Sequence, residues 1–353
     1  MKKALAALLA VGLAAGVMFG CGPKKEEAAA QSAEAAVKSA VKEAAEEVTK
    51  EVVAETGGAG LKLGICLPTR DQYWTTFEGS CVANAEAAGM EAQVVECKED
   101  ISTQISQIET FKNNGFDAVI VGLSSNDSYQ EAITAAGDMK IVFFNRAVTD
   151  TKCLDGKKTV YVGMAEYDAG YAQGVWLADY FSAGNKKDLK GMMFMGVLGQ
   201  QSVTDRTQGA KDALKDAGYN VEWVFEDTAE WDRAKAMDKF VQFANSGKEF
   251  DFVVCNNDEM ALGCIEGCTS SGKAIDFPIV GIDATEVGCN AVLEGTLQMT
   301  VNQNPIGQGE VAIDCVVALC SGQPCPGADS KNIVATDAVP VTADNVEEVL
   351  ATF

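Results

Sequence analysis

From Leu61 onward the chain alternates short apolar runs with longer stretches whose apolar residues return every third or fourth position. Runs that are apolar throughout suit strands covered on both faces, and the longer stretches suit helices that lay one stripe against a sheet. The predicted strands are residues 61–67, 91–97, 117–123, 140–145, 159–163, 190–196, 221–226, 251–256, 278–283 and 297–302. Strands that alternate with helices predict an α/β fold built on parallel sheets. The strand-helix run repeats on each side of about Met164, which predicts two such sheets.

Before Leu61 the pattern is different. Lys2 and Lys3 precede an apolar run from Ala4 to Phe19, too short for a comfortable membrane span and too early to belong to the fold, so it reads as an export signal. Residues 23–60 are rich in Ala, Glu, Lys and Val and contain no aromatic residue. Val37, Val41, Ala44, Val48 and Val52 recur at three- and four-residue steps, which predicts a helix with one weakly apolar stripe. Gly57, Gly58 and Gly60 end it. Such a helix would act as a semi-rigid spacer, extending ~1.5 Å per residue.

Composition narrows the function classes. At 353 residues with 47% hydrophobic content, the chain can bury the cores of two ordinary domains. A formal charge of −23 argues against nucleic acid or an anionic membrane surface as a partner, because phosphate binding needs clustered Lys and Arg. The absence of histidine removes the commonest general base and the commonest metal ligand. No Gly-rich phosphate loop is present, and no nucleophile is paired with a base, so neither an enzyme nor a cofactor is indicated.

The most informative stretch runs from Phe252 to Ala284, where two apolar strands end in polar residues: Asn256, Asn257 and Asp258 after the first, Asp283 after the second. The carboxyl ends of strands in an open parallel sheet form the crevice where ligands bind. Amide and carboxylate groups there suit a neutral ligand rich in hydroxyls, because each can bridge neighbouring OH groups in a fixed plane. Asp258 is expected to cap the following helix, and Asn257 and Asp283 are expected to face the ligand.

This stretch, together with IVFFNR (141–146), TVYVGMAEYDAGYAQG (159–174), DTAEWDRAKAMDKF (227–240), NNDEMALG (256–263) and VGIDAT (280–285), resembles the periplasmic galactose/glucose-binding proteins and the related ribose-binding proteins, the sugar branch of the type I substrate-binding family. The resemblance runs from about Leu61 to Phe353. It implies two Rossmann-like lobes joined by a three-stranded hinge, with one lobe at 61–164 plus 303–338 and the other at 165–302 plus 339–353. Separately, the small Gly20 before Cys21 resembles a bacterial lipoprotein signal, which implies that residues 1–20 are the signal peptide, Cys21 the lipidated residue and 21–60 the anchored spacer. The implied ligand set is Gln72, Trp74, Asn145, Arg146, Gln200, Ser202, Arg206, Trp231, Asn257, Asp283 and Gln303. Trp231 and Trp74 would stack on the two faces of a sugar ring, and Arg206 would offer its planar fork to sugar oxygens. Arg146 has an equal alternative as a salt bridge, and Trp74 or Tyr73 as ordinary core packing.

Two departures bear on ligand identity. The galactose-binding proteins carry a histidine and an aspartate just before the arginine, where this chain has Gln200 and Ser202. Their acidic calcium loop is replaced by the short, basic segment 184–192, so no structural calcium is expected. The resemblance implies a monomeric receptor for a monosaccharide, with glucose or galactose favoured over xylose, ribose or inositol. It would be held at the membrane by its lipid, facing the periplasm or outer surface, and would serve the membrane subunits of an ABC importer, with a chemoreceptor as a further candidate partner. The rival reading within the fold is a nucleoside or a signalling furanose. A repressor effector domain is disfavoured because the signal segment stands where DNA-binding helices would be needed.

The chain has twelve cysteines. Cys66, Cys97 and Cys255 fall on apolar strands, and Cys81, Cys264, Cys268 and Cys315 on helices, where they read as small buried residues. Core packing ranks first for the cysteines, one local disulfide second, for which only Cys320 and Cys325 sit in a turn that could close it, and a metal site last.

Overall fold

The computed structural model describes residues 58–353. The expected signal peptide, Cys21 and nearly all of the spacer lie outside these residues. In chain order the first elements are β1 (Lys62–Leu67), α1 (Gln72–Ala87), β2 (Glu91–Glu96), α2 (Ile101–Asn113), β3 (Ala118–Val121), α3 (Tyr129–Ala136), β4 (Lys140–Phe144) and β5 (Thr159–Met164). There follow α4 (Glu166–Ser182), β6 (Asp188–Met195), α5 (Gln201–Asp216), β7 (Asn220–Thr228), α6 (Arg233–Asn245), β8 (Phe252–Cys255), α7 (Asp258–Ser271), β9 (Ile279–Val280) and α8 (Glu286–Leu293). The chain ends with β10 (Thr300–Asn302), α9 (Pro305–Cys320), β11 (Ile333–Thr336), β12 (Val339–Val341) and α10 (Val346–Leu350).

Two parallel sheets result, as the alternation predicts. The first has the order β11-β5-β4-β3-β1-β2 and the second β7-β6-β8-β9. Both faces of the second sheet are covered at its centre, which is why β8 and β9 are apolar and buried throughout, while the edge strand β7 is polar and partly exposed. Met192 and Phe194 of β6 enter the core beneath α6 and α7, while Leu189 and Met193 of the same strand enter the core beneath α4 and α5. In the first sheet Val119, Val121, Ile141 and Phe143 pack with Ile108 and Phe111 of α2 and Ala132 and Ala135 of α3. Phe144 turns to the opposite face, its ring stacked on Phe77 of α1.

The chain passes between the sheets three times: from β5 into α4, from β10 into α9, and from β11 into β12. Helix α9 belongs with the first sheet, where Ser80 donates to the Ile306 carbonyl at 2.6 Å. Helix α4 belongs with the second, where Gln173 donates to the carbonyls of Cys255 and Gly281, both at 2.9 Å.

Three differences from the sequence reading have physical causes. The strand expected at 278–283 contracts to Ile279–Val280, with only isolated bridges from Val280 to Met299 and from Asp283 to Asn302 beyond it. Strands β11 and β12 were not foreseen, because Pro340 and the polar flanks mask two short strands: β11 pairs with β5 at the edge of the first sheet, and β12 pairs antiparallel with β10 in a separate two-stranded sheet. Cys320 and Cys325 are both free, and the Cys325 thiol is directed at the Cys315 carbonyl 3.6 Å away instead of at Cys320.

Candidate functional site

A cleft of about 760 Å³ opens at the carboxyl edges of the two sheets. Trp74, Asn145, Arg146, Gln200, Ser202, Arg206, Trp231, Asn257, Asp283 and Gln303 line it. Gln72 does not line it; its side-chain oxygen accepts from the Val287 backbone N–H at 3.4 Å, reaching across to the first turn of α8.

A continuous polar floor crosses the cleft. The Asn145 amide donates to the Tyr73 hydroxyl at 3.2 Å and to Gln303 Oε1 at 3.3 Å. Gln303 in turn donates to Asp283. Arg206 Nη1 lies 3.8 Å from Asp283 Oδ1 and donates to the Asn256 carbonyl at 2.7 Å. Its Nε donates to Glu166 at 2.5 Å. The floor thus carries amide, phenol, carboxylate and guanidinium groups in one line, which is chemistry suited to several hydroxyls at once.

The placing of Arg206 depends on glycine. A Cβ on Gly170 of α4 would strike the Arg206 carbonyl, and one on Gly209 of α5 would strike the Tyr167 carbonyl. With neither present, the two helices lie backbone to backbone, and Glu166 at the start of α4 meets Arg206 in the first turns of α5. Arg206 is 4% exposed and Glu166 8%. Burial works against the Arg206 charge, but the carboxylates of Glu166 and Asp283 outweigh it and hold the guanidinium above its ordinary pKa. Asp283 is pushed well above the usual carboxylate range by burial, although Arg206 pulls the other way. The second Glu166 oxygen is buried without a partner among the described residues. Sequence reasoning missed Glu166 entirely.

Arg146 lines the cleft and is also held by an ion pair, donating to both oxygens of Glu99 at 2.6 and 2.7 Å and to the Leu123 carbonyl at 2.9 Å. Arg233 at the mouth is held by Glu259 in the same two-pronged way, at 2.8 and 2.9 Å.

The two tryptophans differ. Trp74 is 4% exposed and packs edge-on against Phe77 and Phe144, so most of its surface belongs to the core. Trp231 is half-buried on the opposite wall, its Nε1–H donating to Gln200 Oε1 at 2.9 Å.

At the start of α7 the expected roles are redistributed. Asn257, not Asp258, is the N-cap, accepting from the Met260 N–H at 3.0 Å while still lining the cleft. Asp258 is fully buried behind it, accepting from Thr300 Oγ1 at 2.6 Å and from the Thr285 N–H at 2.9 Å. Burial pushes its pKa up to about 7. Gly281 and Gly288 make room, since a Cβ on either would strike its carboxylate. The N-cap signature of a polar pair does not say which member turns inward.

Backbone strain gathers here. Glu99, Asn145, Glu230, Trp231 and Asp283 all line the cleft with positive φ, at 61°, 60°, 56°, 65° and 128°. Non-glycine residues persist in that region when the surroundings impose it, commonly at ligand sites.

Comparison with known proteins adds independent findings. A family model described as "Periplasmic binding protein domain" matches residues 63–324. A putative rhizopine-binding protein of Rhizobium meliloti is 31% identical over 239 residues, covering 67% of this chain and 76% of its own. A D-galactose/methyl-galactoside binding periplasmic protein of Haemophilus influenzae is 27% identical over 232 residues, covering 63% of this chain and 70% of its own. Among solved structures, an ABC transporter solute binding protein from Bacillus halodurans with bound myo-inositol is 27% identical, with a TM-score of 0.75 over 84% of this chain and 99% of that one.

Proposed function

The chain belongs to the periplasmic binding protein family, on the type I ribose/galactose branch, and from that membership we propose that it is a lipid-anchored receptor that captures a neutral six-membered ring polyol for an ABC importer. It is a solute-binding protein and not an enzyme. The observation that carries the ligand class is the pairing of the Tyr73-Asn145-Gln303-Asp283-Arg206 floor with the indole of Trp231 on the wall above it. A pyranose or cyclitol presents hydroxyls round its edge and C–H groups on its faces, and this cleft offers polar groups for the first and an aromatic ring for the second.

Charge supports a neutral ligand. Among the described residues the three arginines of the cleft are each already committed, Arg146 to Glu99, Arg206 to Glu166 and Arg233 to Glu259. A sugar phosphate or uronic acid would find no uncommitted guanidinium there. Glucose and galactose remain candidates, and the galactose-binding relative favours them; the relative with bound myo-inositol places a cyclitol beside them. Gln200 and Ser202 are neutral, so selection among these ligands rests on hydroxyl geometry.

Because ligand contacts come from both lobes, binding favours the closed arrangement and shifts the hinge equilibrium without chemistry. A thermal-shift screen of D-glucose, D-galactose, D-xylose, D-ribose, myo-inositol and D-glucose 6-phosphate tests the reading, since a ligand of the native state raises Tm by mass action. A neutral ring polyol should give the largest shift. A shift by the phosphate alone, or by none of them, would sink the proposal.

A further inference from the structure

The indole of Trp231 is held more firmly than a surface tryptophan needs. Glu230 and Trp231 both lie in the left-handed region, with φ of 56° and 65°. Thr228 ties their loop to the end of β6, donating to the Gly196 carbonyl at 2.5 Å and accepting from the Glu230 N–H at 3.1 Å. The indole then lies directly against Gly196, where any Cβ would strike its six-membered ring. Asn257 reaches the Trp231 carbonyl at 3.5 Å, and the Arg206 guanidinium carbon stands 5.6 Å from the ring centroid. The indole Nε1–H also donates to Gln200 Oε1 at 2.9 Å, which opposes rotation of the ring plane. Gln200, 8% exposed at the N-cap of α5, is therefore aimed at the indole.

We infer that Gln200 is a positioning residue, which acts on the ligand through Trp231 by fixing the plane of the indole before any ligand arrives. This rests on the proposed ring-polyol reading and assigns Gln200 a role other than the direct ligand contact expected from the resemblance. A platform already fixed in the free protein loses less side-chain freedom on binding, so affinity depends on the lock even though the locking residue need not touch the ligand.

Two measurements test it. In a protein whose only remaining tryptophan is Trp231, with Trp74, Trp176 and Trp223 changed to Phe, time-resolved anisotropy without ligand should show a small fast component. Gln200→Ala should enlarge that component, and Gln200→Glu, which can still accept from Nε1, should restore it. In the chain otherwise unchanged, calorimetry with D-glucose, D-galactose and myo-inositol should show affinity falling about two- to tenfold for Gln200→Ala, the worth of one hydrogen bond. In a Trp231→Phe background, which lacks the indole N–H, the same change should cost nothing further. An undiminished loss in the Trp231→Phe background would make Gln200 a direct ligand contact, and unchanged anisotropy would overturn the lock itself. If the wild type binds none of the three polyols, the ring-polyol reading fails, while the ligand-free anisotropy still decides whether Gln200 holds the indole.

Discussion

Removing Arg206 should damage the empty protein as well as the complex. Arg206→Ala deletes a guanidinium that is 4% exposed and leaves Glu166 and Asp283 buried without their cation. Breaking a buried pair by removing one partner costs about 3 to 5 kcal/mol, mostly the penalty of the stranded charge. At ~2 to 4 °C per kcal/mol for a domain of this size, Tm at pH 8 should fall by roughly 10 °C. The sign with pH follows from Asp283. Burial already raises it and Arg206 opposes that rise, so in the variant its folded-state pKa climbs further above the unfolded value. A raised carboxyl contributes stability that is complete below the unfolded pKa and is lost as pH rises through the folded one. The deficit of the variant should therefore be smaller at pH 5 than at pH 8. Changing both partners, Arg206→Met with Glu166→Leu, should restore part of the loss, because no glutamate is then stranded beside the missing arginine. Sugar affinity should fall about ten- to a hundredfold in any variant lacking Arg206, if the guanidinium also meets the ligand. Differential scanning calorimetry at the two pH values is the assay. A wild-type Tm for Arg206→Ala at pH 8, or a deficit that grows on acidification, would refute the reasoning.

Asp258→Asn should flatten the pH dependence of stability: burial raises Asp258 to about 7, so its contribution is complete below about 4 and lost as pH rises through 7, worth on the order of 2 to 3 kcal/mol between pH 5 and pH 8. Urea titrations that keep the wild-type slope with pH would place that titration elsewhere. Gln72→Ala removes the acceptor that reaches Val287 across the cleft, so stopped-flow dissociation should speed up about two- to threefold, by the same factor for every ligand, with association unchanged; a factor that varies from ligand to ligand would return Gln72 to the ligand set. Cys21→Ser should release the protein from membranes if the anchor is the lipid proposed for that cysteine, and a variant that stays in the membrane pellet on fractionation would point to an uncleaved signal helix.

The legible part of the site is the part that one rule of parallel sheets predicts. Asn145 follows β4, Asn257 follows β8, Asp283 follows β9 and Gln303 follows β10, and each was expected at a carboxyl edge from its place after an apolar run or from the family blocks. What stayed hidden is what those residues need in order to work. Glu166 stands forty positions from Arg206, and Glu99 forty-seven from Arg146, separations at which no local spacing signals a pair. Gly170 and Gly209 are ordinary helix glycines until the helices they join are seen in contact. The direction of a short polar side chain was also out of reach: Asn257 lines the cleft as expected but also takes the cap expected of Asp258, which turns inward to Thr285 and Thr300. Gln72 sits one position from a cleft residue on each side in sequence terms, Asp71 and Tyr73, yet its side chain leaves the cleft for α8.

The same features bear on how closure can be economical. Positive φ at Asn145, Trp231 and Asp283 costs free energy in the empty protein, of order 1 to 3 kcal/mol each for residues other than glycine. That cost persists because neighbours impose it: Tyr161 donates to the Asn145 carbonyl at 2.7 Å, Thr300 accepts from the Ala284 N–H at 3.1 Å, and Gly196 leaves the space that Trp231 fills. Strain already carried by the free state need not be supplied by the ligand. In the proposed closure the ligand-facing groups would move with their lobes as rigid pieces, and the binding free energy would go to bringing two prepared walls together, with little spent on ordering either wall. On this account the affinity of the cleft should respond less to changes in loop length at its mouth than to any change that frees one of these few strained residues.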